Sequence, residues 1–191
     1  MNIILILMYF FFMYKKLAYH SNCWGPLGGN AVGVTSITQL SYMTFCNLEK
    51  PLTDISKAGY TGIEIFDGNL FEYDSRLNEL KKMLQNAGLK FVASYSGGNL
   101  IFKEILDDEL DKIKKSILIA KELGAEHFVI GGGAKRFNGT NEDDYNRLGE
   151  SLNKIDSLCK KNDLQGHYHP HLSTIVEGAD EVKKIFELTS I

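Results

Sequence analysis

Apolar residues in this chain fall into two alternating kinds of run. A short apolar run is followed by a polar or glycine-containing loop, and then by a segment whose apolar residues recur every three or four positions. The first kind predicts a strand and the second an amphipathic helix. The first strand is Lys16–His20 (KLAYH), and a long loop rich in glycine and small residues follows from Ser21 to about Thr38. A helix is predicted over about Glu49–Ala58, with Leu52, Ile55 and Ala58 on one face and Gly59 where it stops. Thr61–Phe66 (TGIEIF) is the second strand. Ser75–Ala87 is the second helix, carrying Leu77, Leu80, Leu84 and Ala87 on one face before Gly88.

The pattern then repeats. Lys90–Tyr95 (KFVASY) reads as the third strand. The third helix is expected to place Asp107, Asp108 and Glu109 at its positive N-terminal end, with Leu110, Ile113, Ile117, Ala120 and Leu123 inward and Gly124 closing it. Glu126–Ile130 (EHFVI) is the fourth strand and runs into Gly131-Gly132-Gly133. The fourth helix spans about Glu142–Lys161, turning Tyr145, Leu148, Leu152, Ile155 and Cys159 inward. Leu164–His169 (LQGHYH) is the fifth strand, and a fifth helix begins near Ala179.

Regular β-α alternation implies parallel strands joined by right-handed crossovers, hence an α/β fold. An open doubly wound sheet would carry a glycine-rich phosphate turn after its first strand. Here the first strand leads into HSNCWGPLGG, without GxGxxG spacing. Polar and aromatic residues instead gather at the C-terminal end of every strand: His20 and Asn22, Glu64 and Asp67, Tyr95 and Asn99, Lys135 and Arg136, then His167, His169 and His171. A barrel collects its chemistry on that rim. The predicted architecture is therefore a (β/α)8 TIM barrel. With 191 residues against the roughly 250 of a complete barrel, only about the first five β/α units are present.

Residues 1–14 (MNIILILMYFFFMY) are set apart as an apolar N-terminal extension, from an upstream start or a weak anchor, and 15–191 are expected to form the partial barrel domain. The positive charge at Lys15-Lys16 follows the apolar stretch rather than preceding it, unlike a signal peptide. Three widely spaced cysteines (Cys23, Cys46, Cys159) make no CxxC, which points to a reducing, cytoplasmic setting. A net charge of −3 with no basic stripe argues against a nucleic-acid partner, and no membrane partner is expected unless the N-terminal segment is a real anchor.

The densest chemistry lies at HYHPH. Alternate residues of a strand share a face, so His167, His169 and His171 can point the same way and suit a metal or a proton-transfer site. Any one of them can equally be a strand-end histidine bonded to a backbone carbonyl. Glu177 beyond them is either a hard oxygen ligand or a first-turn carboxylate facing a helix dipole. Glu64, between Ile63 and Ile65, should face the barrel interior if they face the helices, where it would meet a substrate hydroxyl, a catalytic proton or a salt-bridge partner. Gly131–Gly133 with Lys135 and Arg136 can hold an oxyanion or merely allow a tight turn. Trp24, the only tryptophan, can stack on a sugar ring or plug the barrel end.

At NCWG, GYTGIEIFDGN, GAEHFVIGGGAKR and above all YHPHLSTIVE, the sequence resembles the xylose isomerase-like TIM barrels, the sugar phosphate isomerase/epimerase superfamily, and within it the inosose dehydratase-like branch. The resemblance runs from about Lys15 to the end. It implies a divalent-metal enzyme (Mn, Mg, Co or Zn) that transfers a proton next to a carbonyl of a sugar, sugar phosphate or inositol-type polyol, giving isomerisation, epimerisation or water loss. By position it implies Glu177 or His169 as metal ligand, with Glu177 taken as the metal residue. It makes His169, Glu64 and Lys135 catalytic, and His20, Asn22, Trp24 and His171 substrate-binding. The family's further ligands come from strands six to eight, so the chain is expected to be an incomplete fragment, inactive alone and prone to homo-oligomerise. The alternative is a non-catalytic truncated barrel.

Overall fold

A computed structural model describes residues 17–28 and 41–191. The apolar extension 1–14, the start of the first predicted strand and most of the long first loop lie outside the described residues. Five parallel strands form one sheet in the order β1 (Ala18–His20), β4 (Gly62–Phe66), β5 (Lys90–Gly98), β6 (His127–Gly132) and β7 (Gln165–His169). A two-stranded antiparallel pair, β2 (Leu27–Gly28) with β3 (Met43–Thr44), sits beside the start of the sheet. Each strand after β1 is neighbour to the previous strand of the sheet, the consecutive order of a barrel wall.

Among the described residues six α-helices follow the strands: α1 (Glu49–Lys57), α2 (Asp67–Phe71), α3 (Leu77–Ala87), α4 (Lys103–Glu122), α5 (Glu142–Lys161) and α6 (Ala179–Leu188). Between sheet and helices lies the core. Ile63, Ile65, Phe91, Phe128 and Ile130 on the strands meet Leu52, Ile55, Leu80, Leu84, Ile113, Ile117, Leu148, Leu152 and Ile155 on the helices, all buried. Each such side chain contributes on the order of 2 kcal/mol by leaving water. Because Ile63 and Ile65 take the helix side, the alternating partners Gly62, Glu64 and Phe66 take the concave side.

Three elements differ from the sequence-based expectation. Strand β5 continues past Tyr95 to Gly98, its Gly97 and Gly98 pairing with Gly131 and Gly132 of β6. Helix α4 begins at Lys103, so Asp107–Glu109 lie in its second turn. Glu109 does not meet a helix dipole there. It is buried and accepts hydrogen bonds from the backbone N–H groups of Asn99 and Leu100 and from the Asn99 carboxamide. Those donors are left over where β5 ends, and Leu100 adopts φ +63 beside them. Helix α2, too short to carry a period, was absent from the pattern. Its first residue, Asp67, is fully buried and accepts from the N–H groups of Tyr42 and Gly68 and from Ser96 Oγ, with Lys112 Nζ at 3.3 Å.

Candidate functional site

The parallel register gathers the concave-face residues into rows. His20 pairs with Glu64, Glu64 with Ala93, and Ala93 with His127. In the next row Phe66 pairs with Tyr95, Tyr95 with Val129 and Val129 with His167, and above it Gly131 pairs with His169. Residues paired between parallel strands point to the same side, so these side chains share one surface.

Its centre is Tyr95. The ring makes edge contacts with Phe66 (5.4 Å), His169 (5.4 Å), Tyr42 (5.8 Å) and His20 (5.9 Å). Its hydroxyl lies over Gly131, where an added Cβ would collide with it. Burial raises the Tyr95 pKa, with Tyr42 adding to the effect, so the phenol stays protonated.

Beside this aromatic wall, His20 Nε2 lies 3.4 Å from Glu64 Oε1. Both side chains are largely enclosed, at 18% and 25% exposure. Neither ring nitrogen of His20 makes a hydrogen bond, and both are buried. Burial pulls the His20 pKa down to about 4; the nearby Asn22 side chain opposes the shift and His169 reinforces it. Burial pushes Glu64 up to about 7. Near neutrality the imidazole is uncharged and the carboxyl sits midway in its titration, a state suited to taking and returning a proton.

The three clustered histidines do not act as one group. His167 turns to His127, Nε2 to Nδ1 3.0 Å apart. His169 sits against Tyr95, and His171 lies 5.7 Å from His169, with Nδ1 2.9 Å from the Leu172 carbonyl. Burial lowers the His169 pKa, and His171 lowers it further. Lys135 and Glu177 meet at the rim, Nζ donating to Oε2 at 2.7 Å, and Ser173 N–H donates to the same oxygen. That lysine contact holds the Glu177 carboxyl below the usual range.

Two expected sites are placed elsewhere. Trp24 packs at the outer side of β1: its indole N–H donates to Asp54 Oδ2 of α1 at 2.8 Å, and its ring meets Tyr19 edge-on. It therefore does not join the concave surface. The glycine run closes β6 rather than forming an anion cradle: Gly131 and Gly132 are its last two residues and Gly133 follows, with Gly132 at φ +121 and Gly133 at φ +94. The N–H groups of Gly133 and Ala134 already donate to Gly98 O and Asn99 O, and Arg136 is drawn to Asp144 and the Phe102 ring. Tyr42, Phe66 and His127 belong to this surface without having been singled out in the sequence. Their neighbours come from strand register and from a returning loop, which hydropathy alone does not encode.

Among the described residues no three His, Cys, Asp or Glu side chains lie close enough together to hold a metal ion. No helix among them is long and apolar enough to cross a membrane.

Comparison with known proteins bears on this arrangement. A family model described as xylose isomerase-like TIM barrel matches residues 52–190. The chain belongs to that family. As a xylose isomerase-like TIM barrel it is 27% identical over 156 residues to an inosose dehydratase of Mesomycoplasma hyopneumoniae, a match covering 75% of this chain and 49% of that protein. The chain thus spans about half the length of the curated relatives it matches. Among solved structures, an L-ribulose 3-epimerase superposes with a TM-score of 0.67 at 17% identity, covering 93% of this chain and 58% of the other. The IOLI protein with a bound zinc atom superposes with a TM-score of 0.65 at 16% identity, covering 93% and 60%. These two likenesses are of fold.

Proposed function

We propose that this xylose isomerase-like barrel serves an isomerase or epimerase of a sugar, sugar phosphate or inositol-type polyol, in which Glu64 moves a proton on the carbon next to a carbonyl. The observation that carries the reading is the enclosed Glu64–His20 pair: a carboxyl brought to about 7 beside an imidazole whose nitrogens have no other partner. A general base works best with a pKa near the operating pH, and it must reach its proton directly or through one water. The His20 nitrogen that does not face Glu64 makes no hydrogen bond within the protein and is left to donate to a substrate carbonyl or accept from a hydroxyl. Tyr95, held protonated, presents a hydroxyl to the same surface, and Phe66 with Tyr42 supplies an apolar wall that excludes water. At the rim, His169 and His171 would contact substrate oxygens. Lys135 would offset negative charge as the enediolate develops.

The zinc named for one fold neighbour makes a divalent ion part of the expectation. Glu177 and His169 are this chain's candidate donors at the rim. They do not amount to a coordination set on their own, and the Glu177 oxygen is already held by Lys135. No step here is therefore routed through an ion.

A second reading follows from the curated relatives, which are named inosose dehydratase. The same proton abstraction, followed by departure of a β-hydroxyl, would give water loss. Both readings are tested by incubating the protein in deuterated water with inosose and with a panel of ketohexoses. Deuterium entering a carbon position of a product that otherwise keeps the substrate's formula supports isomerisation or epimerisation, and a product that has lost one water supports dehydration. In either case Glu64→Gln should lower kcat by about 10²–10⁴-fold. Wild-type turnover that survives this substitution would remove Glu64 from the chemistry.

A further inference from the structure

The same concave surface carries a second feature that the proton-transfer pair does not use. His127 and His167 face one another across β6 and β7, Nδ1 to Nε2 at 3.0 Å, with ring centroids 5.0 Å apart and planes tilted by 52°. His127 shares a register row with Glu64, two strands away, which places their backbones about 10 Å apart at normal strand spacing. We propose that His127 and His167 form a binding site for a borderline divalent transition-metal ion, with water or a small-molecule oxygen completing its shell.

The bite is right. Two imidazole nitrogens bound at about 2.05 Å to a tetrahedral ion lie about 3.3 Å apart, so the rings need open by only a few tenths of an ångström. Both residues are fixed on adjacent paired strands, two residues apart in register, so that they meet diagonally on the same face. Neither far nitrogen, His127 Nε2 or His167 Nδ1, has a hydrogen-bond partner among the described residues, so each ring is free to make the small χ2 rotation that turns its lone pair onto the ion. The absence of such an anchor also makes the site an exchangeable one. No carboxylate hydrogen-bonds to either ring. A donor set of two nitrogens and water favours Zn²⁺, Ni²⁺ or Cu²⁺ over Mg²⁺ or Ca²⁺. This separates it from the rim, where Glu177 offers oxygen.

The test follows imidazole ¹⁵N and ¹H resonances of the wild-type protein while Zn²⁺, and separately Mg²⁺, is added. Zn²⁺ should shift the His127 and His167 signals together, and Mg²⁺ should leave them in place. By equilibrium dialysis, His127→Gln and His167→Gln should each weaken Zn²⁺ binding more than about tenfold, and Glu177→Gln should preserve it. Wild-type His127 and His167 resonances that do not move at millimolar Zn²⁺ would overturn the site, whatever the stability of the variants. So would loss of Zn²⁺ in Glu177→Gln with retention in both histidine variants.

Discussion

Glu64 and His20 sit side by side on the concave face, and burial moves their proton equilibria in opposite senses. For His20 the ordinary value of 6.5 falls to about 4, so between those limits the unfolded chain binds more protons and stability rises with pH. For Glu64 the ordinary 4.5 rises to about 7, so between those limits the folded state binds more protons and stability falls as pH rises. The windows overlap from 4.5 to 6.5 and the two slopes oppose each other. Denaturant titrations should show little contribution from this pair over that range in the wild type. Glu64→Gln should gain stability as pH climbs from 4 to 6.5, and His20→Gln should lose it from 4.5 to 7, each by at most about 1 kcal/mol per pH unit. Equal pH profiles for the two variants would contradict this placement. The inward direction of Glu64 was legible from its position between Ile63 and Ile65. Its partner was not, because only the β1–β4 register brings His20 opposite it.

The strands and helices that build the core follow the hydropathy period closely, as Ile113, Ile117 and Ala120 of α4 and Leu148, Leu152 and Ile155 of α5 illustrate. The period says less where a polar side chain replaces solvent. Glu109 reads as a surface carboxylate in a run of acids, yet it turns inward because the β5 terminus leaves two backbone donors without partners. Gly131 is a similar case: three consecutive glycines suggest a flexible turn, whereas the first of them is needed so that β6 can pass beneath the Tyr95 hydroxyl. Gly131→Ala should therefore destabilise the protein by about 1–3 kcal/mol, because the phenol is hemmed in by Phe66, Tyr42, His20 and His169. Adding Tyr95→Phe to that variant should recover part of the loss. Thermal melting of the single and double variants checks it, at about 2–4 °C per kcal/mol for a chain of this size.

Across the molecule, the β/α alternation disclosed the barrel wall and its strand order. Trp24 shows the limit of that reading: a lone aromatic beside a strand end can face either layer, and Asp54 on α1 decides for the outer one. β4, β5 and β6 are flanked by strands on both sides, with α4 packed on β5 and α5 on β7, whereas β1 and β7 border the sheet among the described residues. Amide hydrogen exchange should be slowest in β5 and β6 and fastest in β1, and uniform protection across the sheet would contradict the picture. Beyond the strands proper, Gly133 N–H donates to Gly98 O, Ala134 N–H to Asn99 O and Ile175 N–H to Gly133 O. Three successive rim loops are thus stitched to one another by main-chain bonds that any residue can make. Recognition of a new carbohydrate on this side of the cup would come by exchanging side chains upon an unchanged trellis, and lengthening one loop would unpick its neighbours.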